Sequence, residues 1–429
     1  MKKFLAVLVV FTLIAGVAFA EMNLGGQFGY QAVIAHGNSA DGTDVMSAAK
    51  NRAKSLNVSF KGDTWGGMFR ILGNTSGVQG DAYWGNSPFG FAWWKPIDQF
   101  KLQIGCNPDG DWGAGAITGW GFLGEAQDYT ALDNWIKWDI LNNLPEPYKG
   151  AKDGLTDLFA FARGTGFYGG YSATGVALSI YPADGVSIGI GLPLAGADGK
   201  NDNFAAPLYK SMAYFHFNAA VKIGDVGKLN LSFKGGEGLM ENLKGDGNEK
   251  SPGNIYASFY LTQIENLGVD IGVDFPLPYT AKVGTTEATA VDSVKIGLGV
   301  KYESGDFGVK FRAGIGLPGS FDGDSDKQSM LSFNVLPYIK LLDGKMTAYL
   351  NAGLSLALDG ENDDSNATSW YVNPYVKVPA GGINFYAGFQ LYGFAFGDKL
   401  AATTPGTDGP FKDKNITLWA IPIGLQLYF

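Results

Sequence analysis

Asn415–Phe429 reads NITLWAIPIGLQLYF and alternates to its last residue. Taken in twos, one face holds Trp419, Ile421, Ile423, Leu425, Leu427 and Phe429, and the other holds Leu418, Ala420, Pro422, Gly424, Gln426 and Tyr428. A period of two is a strand, not a helix. The first face is wholly apolar and ends in aromatics, whereas the second is mostly small or amphipathic. That contrast suits hydrocarbon on one side and a wetter space on the other. The spacing predicts a membrane-crossing strand running up to an aromatic end, where a soluble domain usually frays into polar residues.

The same pattern recurs upstream. Val294, Ile296, Leu298, Val300 and Tyr302 oppose Lys295, Gly297, Gly299 and Lys301, and Phe307, Val309, Phe311, Ala313 and Ile315 oppose Lys310, Arg312 and two glycines. Met346, Ala348, Leu350, Ala352, Leu354 and Leu356 oppose Thr347, Tyr349, Asn351, Gly353 and Ser355. Each run spans about ten residues, the length of a tilted membrane-spanning strand. Tight links at 61–64, 95–98, 182–185, 224–227, 265–268, 303–306, 342–345 and 378–382 alternate with longer polar segments around 35–51, 74–88, 194–210, 237–252, 276–291, 317–328, 358–368 and 394–414. Short turns at one rim and long loops at the other predict a closed, all-β, antiparallel up-and-down barrel of about 18 strands, within a range of about 16–20. The first strand, near 22–34, and the last both have their free ends at the short-turn rim. Aromatic pairs beside the turns, Phe60 with Trp65, Trp93 with Phe100 and Tyr302 with Phe307, are expected on the apolar face as an interfacial girdle.

The N-terminus fits an exported chain. Lys2 and Lys3 precede an apolar run from Phe4, and Ala18-Phe19-Ala20 supplies a small-x-small cleavage pattern, so residues 1–20 read as a signal peptide and 21–429 as one barrel domain. Removing the two lysines takes the formal charge from −9 to −11. With 63 glycines, 14% aromatic and only 17% charged residues, the composition is unlike that of a soluble protein of this length. A single cysteine, Cys106, excludes an internal disulfide framework.

With a signal peptide, many amphipathic strands and a terminal GLQLYF, the chain resembles the outer-membrane β-barrel proteins of diderm bacteria, and its general architecture is similar to that of porins. The resemblance implies an outer-membrane location with both termini periplasmic and a barrel surrounded by outer-membrane lipid. It also implies recognition of the last strand by the barrel-assembly machinery, with Tyr428 and Phe429 at the matching positions. Whether copies assemble as a homo-oligomer is left open.

Function is sought on the inner face, because this fold hosts channels, enzymes and adhesins alike. A barrel of about 16 to 18 strands generally encloses an aqueous path. Following the alternation, Arg70, Lys101, Lys234, Lys295, Lys310 and Arg312 point inward at mid-strand, and Lys222, Lys228, Lys301 and Lys377 near the turns. Inward acids are few, chiefly Asp270 and Asp274. The expectation is a porin passing small hydrophilic solutes and preferring anions. Inward Tyr214, Tyr256, Tyr260, Tyr349, Tyr371, Tyr375, Tyr386 and Tyr392 offer either a stacking surface for a solute or ordinary wall packing.

The stretch 106–172 breaks the hairpin spacing. Leu132, Trp135, Ile136, Ile140 and Leu144 recur at helical spacing, as do Leu155, Leu158 and Phe159, so this long loop is expected to be partly helical. Its acids, Glu125, Asp128, Asp133, Asp139 and Asp157, are candidate constriction-loop residues facing the basic lining, as in the folded-in loop of general porins. The alternatives are an external cap or a contact between copies.

No catalytic or cofactor motif survives inspection. Two G-x-G-x-x-G matches, from Gly119 and from Gly164, lie outside any βαβ context. The calcium-like run at 322–326 has Lys327 in place of the required glycine and Phe333 in place of the terminal glutamate. His36 and His216 are the two histidines, and neither is spaced with a nucleophile and an acid. The reading is therefore a non-enzyme without metal or cofactor, and its acidic charge argues against nucleic acid. A transporter of hydrophobic molecules and an adhesive or structural barrel remain as alternatives to the porin.

Overall fold

A strand that is apolar on one face and polar on the other satisfies its backbone only by pairing edge to edge, and in hydrocarbon no edge can be left open. The computed structural model describes residues 21–39, 42–72, 89–105, 175–193, 215–236, 238–239, 251–283, 286–290, 294–317, 329–358, 368–395 and 415–428. Its strands are β1 (Glu21–Asn38), β2 (Gly42–Lys61), β3 (Trp65–Leu72), β4 (Phe89–Ile97), β5 (Phe100–Gly105), β6 (Gly175–Ala183), β7 (Val186–Pro193), β8 (His216–Ile223), β9 (Gly227–Gly235), β10 (Gly253–Leu261) and β11 (Leu267–Pro276). They continue as β12 (Tyr279–Val283), β13 (Thr286–Ala290), β14 (Val294–Ser304), β15 (Phe307–Leu317), β16 (Ser329–Leu341), β17 (Met346–Leu358), β18 (Thr368–Ala380), β19 (Ile383–Gly388), β20 (Gln390–Ala395) and β21 (Asn415–Tyr428).

All strands except β12 and β13 belong to one 19-stranded sheet. Every pairing is between antiparallel neighbours, and the last strand pairs with the first over Gln27↔Tyr428 to Asn38↔Leu418, so the sheet returns to its start. β19 and β20 both lie between β18 and β21 in one continuous register, Tyr386↔Gly424 and Gln390↔Ala420. They are two halves of one stave, which makes a closed up-and-down transmembrane barrel of 18 staves. β12 and β13 form a separate hairpin within the 276–291 connection.

The polarity of the wall is the reverse of a soluble core. Outward Leu229, Leu231, Ile255, Ile271 and Phe275 are exposed, while inward Asn218, Ser232, Ser258, Asp270 and Asp274 are buried. Along β9 the contrast is abrupt: Leu231 is 47% exposed and Ser232 0%. Several inward polar groups are bound across strands, as burial favours. Ser232 Oγ donates to Asn218 Oδ1 (3.4 Å), Asn230 Nδ2 to Ser258 Oγ (3.3 Å) and Asn254 Nδ2 to Asp274 Oδ1 (2.7 Å).

All eight tight links of the sequence join consecutive staves. One of the two-residue links, Gly381–Gly382, has positive φ at both residues (58° and 88°), as a hairpin matched to strand twist requires. The Tyr428 amide donates to the Gly382 carbonyl (3.0 Å), and Glu21 pairs with Lys61. Both ends of the described chain thus lie at the short-turn rim.

Two expectations are corrected. The stretch 35–51 is not a long loop, since β1 and β2 stay paired, through two register shifts, as far as Asn38↔Gly42. Residues 42–51 carry no clear alternation, and they are strand because β1, itself held on its other edge by β21, offers them a complete backbone ladder. Trp93 is not in the outer girdle: it pairs with Gln103, which is buried on the inward face, and the Lys101 ammonium lies 5.7 Å from its ring centre. Its neighbour Trp94 is the outward residue, edge-on to Phe100 at 6.4 Å. Phe60 against Trp65 (5.9 Å) and exposed Tyr302 and Phe307 complete that belt. Residues 1–20, 106–172 and Phe429 lie outside the described set, so the signal peptide, the helical loop with Glu125, Asp128, Asp133, Asp139 and Asp157, and the final aromatic remain expectations.

A charge on the outward face meets lipid rather than water. Leu231→Arg is expected to destabilise the bilayer-inserted barrel by about 2–4 kcal/mol, read from urea titrations in vesicles, whereas Leu231→Phe is expected to leave the midpoint within error.

Candidate inner-wall site

Glycine on the inward face makes room for large rings on the neighbouring stave. Tyr338 covers Gly308, its direct cross-strand partner, and Tyr371 covers Gly353 in the same way. A Cβ on Gly353 would stand 2.4 Å from the Tyr371 ring. Because Gly353 has no side chain, Asn334 on β16 reaches over it to β18: its Nδ2 donates to Tyr371 Oη (2.6 Å) and to Asn351 Oδ1 (2.7 Å). Asn373 Nδ2 likewise donates to Tyr392 Oη (2.8 Å).

These contacts assemble a tyrosine wall over β16–β20. Tyr349 and Tyr375 stack at 4.6 Å with 5° between planes, Tyr338 lies 5.6 Å from Tyr349, and Tyr371 stacks on Tyr392 at 5.5 Å. Tyr338, Tyr349, Tyr375 and Tyr386 form one buried cluster with Leu336. Rings so placed spend their faces on each other, which is wall packing rather than a stacking surface for a solute. Tyr256 is also buried, Tyr260 is half-buried, and Tyr214 lies outside the described set.

The wall has a charged margin on β14 and β15. Lys301 pairs with Glu303 (2.7 Å), Tyr338 Oη donates to the same carboxylate, and the Lys310 ammonium lies 6.0 Å from the centre of the Tyr338 ring. Lys310 is only 3% exposed, so it sits beneath other side chains rather than in open water. Glu303 was missed in the sequence because the run ESGD reads as a turn, where acids are usually solvated, whereas the strand β14 extends through it.

The remaining basic positions are distributed around the barrel. Lys101 is buried on β5 over Trp93, opposite Ser179. Lys234 pairs with His216 on one side and Asn254 on the other. Lys295 stands directly across from Asp274, and Arg312 is two staves from Asp270 with only Gly299 between them. Arg70 is in β3 opposite Asn57 and Phe89, with its side chain outside the described set. The two inward acids are therefore registered on Lys295 and Arg312, an arrangement invisible without strand pairing. Tyr428 pairs with Gln27 at the seam of the barrel. Among the described residues no group of three His, Cys, Asp or Glu could hold a metal.

No protein-family model matches the chain, and no curated protein matches it. Solved structures of similar outline include the anion-selective porin from Comamonas acidovorans, at 11% identity over 96% of this chain and 100% of that one, TM-score 0.46. Pseudomonas aeruginosa OpdL gives 8% identity over 96% and 99%, TM-score 0.49, and the outer membrane channel DcaP of Acinetobacter baumannii 11% over 96% and 98%, TM-score 0.45. At such values no residue role or solute passes from them to this chain.

The Gly353–Tyr371 fit has a measurable cost of disruption. Gly353→Ala is expected to lower unfolding stability by about 1–3 kcal/mol, and the loss should shrink when Tyr371→Ala is added, as a double-mutant cycle in urea would read.

Proposed function

We propose that the chain is an outer-membrane channel for passive diffusion of small hydrophilic solutes, with a preference for anions. The observation that carries this reading is the inner face of an 18-stave barrel, where Lys101, Lys234, Lys295, Lys301, Lys310 and Arg312 outnumber Asp270, Asp274 and Glu303. Fixed positive charge in a confined, low-dielectric passage raises the local concentration of anions and lowers that of cations. The three carboxylates lie beside basic partners, so they orient the lining and moderate its field without reversing it. Burial of Lys310 and of the tyrosine wall argues for a narrow passage in which solutes shed part of their water, rather than a wide tube. The barrel is embedded in outer-membrane lipid with both termini periplasmic. The last strand, which is also the closing strand, carries the signal read by the barrel-assembly machinery. No catalytic step is assigned to it.

The test is conductance in a planar bilayer under a salt gradient. The expected result is stable steps with a reversal potential of anion-selective sign, shifted toward zero by Lys295→Gln, Lys310→Gln and Arg312→Gln together. A correctly folded barrel that stays silent, or one that reverses with cation sign, would overturn the reading.

A further inference from the structure

At the short-turn rim the inner wall opens into a cavity of about 720 Å³ that the mid-strand lining does not explain. It is bounded by the ends of the β4–β5, β6–β7, β8–β9 and β10–β11 hairpins, and Lys95, Lys222, Lys228, Tyr181 and Tyr260 contribute to its walls. All lie on the inward phase: Lys228 pairs with Lys222 and with Tyr260, which in turn pairs with buried Asp270, and Lys95 is two residues from inward Trp93.

The charge arrangement within it is unbalanced. Lys95 is paired with Asp98 (3.2 Å) and lies 5.8 Å from the centre of the Tyr181 ring, so its charge has partners. Asp184 stands in the turn at the rim. Lys222 and Lys228 face each other directly across adjacent staves, and neither has an ion-pair partner among the described residues. Like charges placed opposite on a sheet repel. Lys222 is moreover held in place, because its amide donates to the Gly185 carbonyl (2.7 Å) and Gly185, at positive φ, lies against its Cβ with no side chain of its own. An anion between the two ammonium groups turns this repulsion into a two-point contact. Beside them are the rings of Tyr181 and Tyr260 and the apolar edge of Pro182 and Val186. A charged pair next to ring and aliphatic surface, in a volume suited to a small molecule, is the chemistry of an organic anion rather than of a bare halide.

We propose that this cavity is a binding station for a small organic carboxylate with a ring or short aliphatic body, held by Lys222 and Lys228 through its carboxylate and by Tyr181 and Tyr260 through its body. The station deepens the anion-channel reading and rests on it for the solute's route, but its occupancy is an equilibrium property measurable without conduction.

The experiment is titration of benzoate into the refolded barrel in nanodiscs, followed by calorimetry, with benzamide as the uncharged isostere. Saturable binding that weakens with salt, falls at least tenfold in Lys222→Gln/Lys228→Gln and is unchanged in Lys345→Gln, an exposed turn lysine outside the cavity, is the expected result. Absent or unsaturable binding overturns the proposal, as does equal affinity in wild type and double variant, or equal affinity for benzamide. Strand content by circular dichroism checks that the double variant folds, and Lys222→Arg/Lys228→Arg, which keeps both charges, should retain binding within about threefold. A barrel that conducts with anion preference yet binds no benzoate sinks the station alone. One that binds benzoate but stays silent in a bilayer sinks the channel alone.

Discussion

The structure depends on the need to pair every backbone amide and carbonyl where no water is available. A strand cannot do this within itself, and an open sheet leaves two unpaired edges, so the ladder has to close. Closure occurs between β1 and β21, over eleven residue pairs from Gln27↔Tyr428 to Asn38↔Leu418 with one irregularity near Ile34. Once the ladder is closed, side chains divide into two populations with opposite solvents. Leucine and isoleucine outside need no partner, while several of the polar groups inside are bound to the neighbouring stave, as Asn334 is to Asn351 and Asn254 to Asp274.

Glycine and the aromatic residues complete that division. Gly308 and Gly353 accept tyrosine rings on the inner face, and Gly66 and Gly393 accept the rings of Trp93 and Trp370. A ring laid over a glycine shields a stretch of backbone that a small residue would leave bare. At these positions glycine is a packing feature of the wall, paired with an aromatic on the neighbouring stave. It also explains how the tyrosines of β16–β20 can be buried on the inner face: Tyr338 and Tyr371 rest on glycines, and Tyr349 stacks on Tyr375.

The alternation and the turns were legible in the sequence. Period two survives along β14 to β18 and along β21 because each face there meets a single environment, and the links at Gly305, Gly344 and Gly381 announce positive φ by composition. The strand count followed from these. What failed did so where one residue's surroundings are set by a distant one. Residues 42–51 have no pattern of their own and take their conformation from β1. Trp93 and Trp94 are adjacent and equally apolar, so the phase could be read either way until the pairing with Gln103 decided it. Of the site, phase alone assigned the basic residues to the inward face. The placement of Asp270 and Asp274 on particular partners, the role of Glu303 and the gathering of Lys95, Lys222 and Lys228 into one cavity all depend on register between strands, which periodicity does not carry.

The account stands or falls on the inverted polarity of the wall. The most direct measurement is oxygen accessibility of nitroxide spin labels placed one at a time from Lys295 to Val300 on β14, in lipid vesicles, with the native Cys106 replaced. Oxygen concentrates in hydrocarbon, so the account predicts maxima at Ile296, Leu298 and Val300 and minima at Lys295, Gly297 and Gly299. A flat profile, or maxima in the opposite phase, would contradict it.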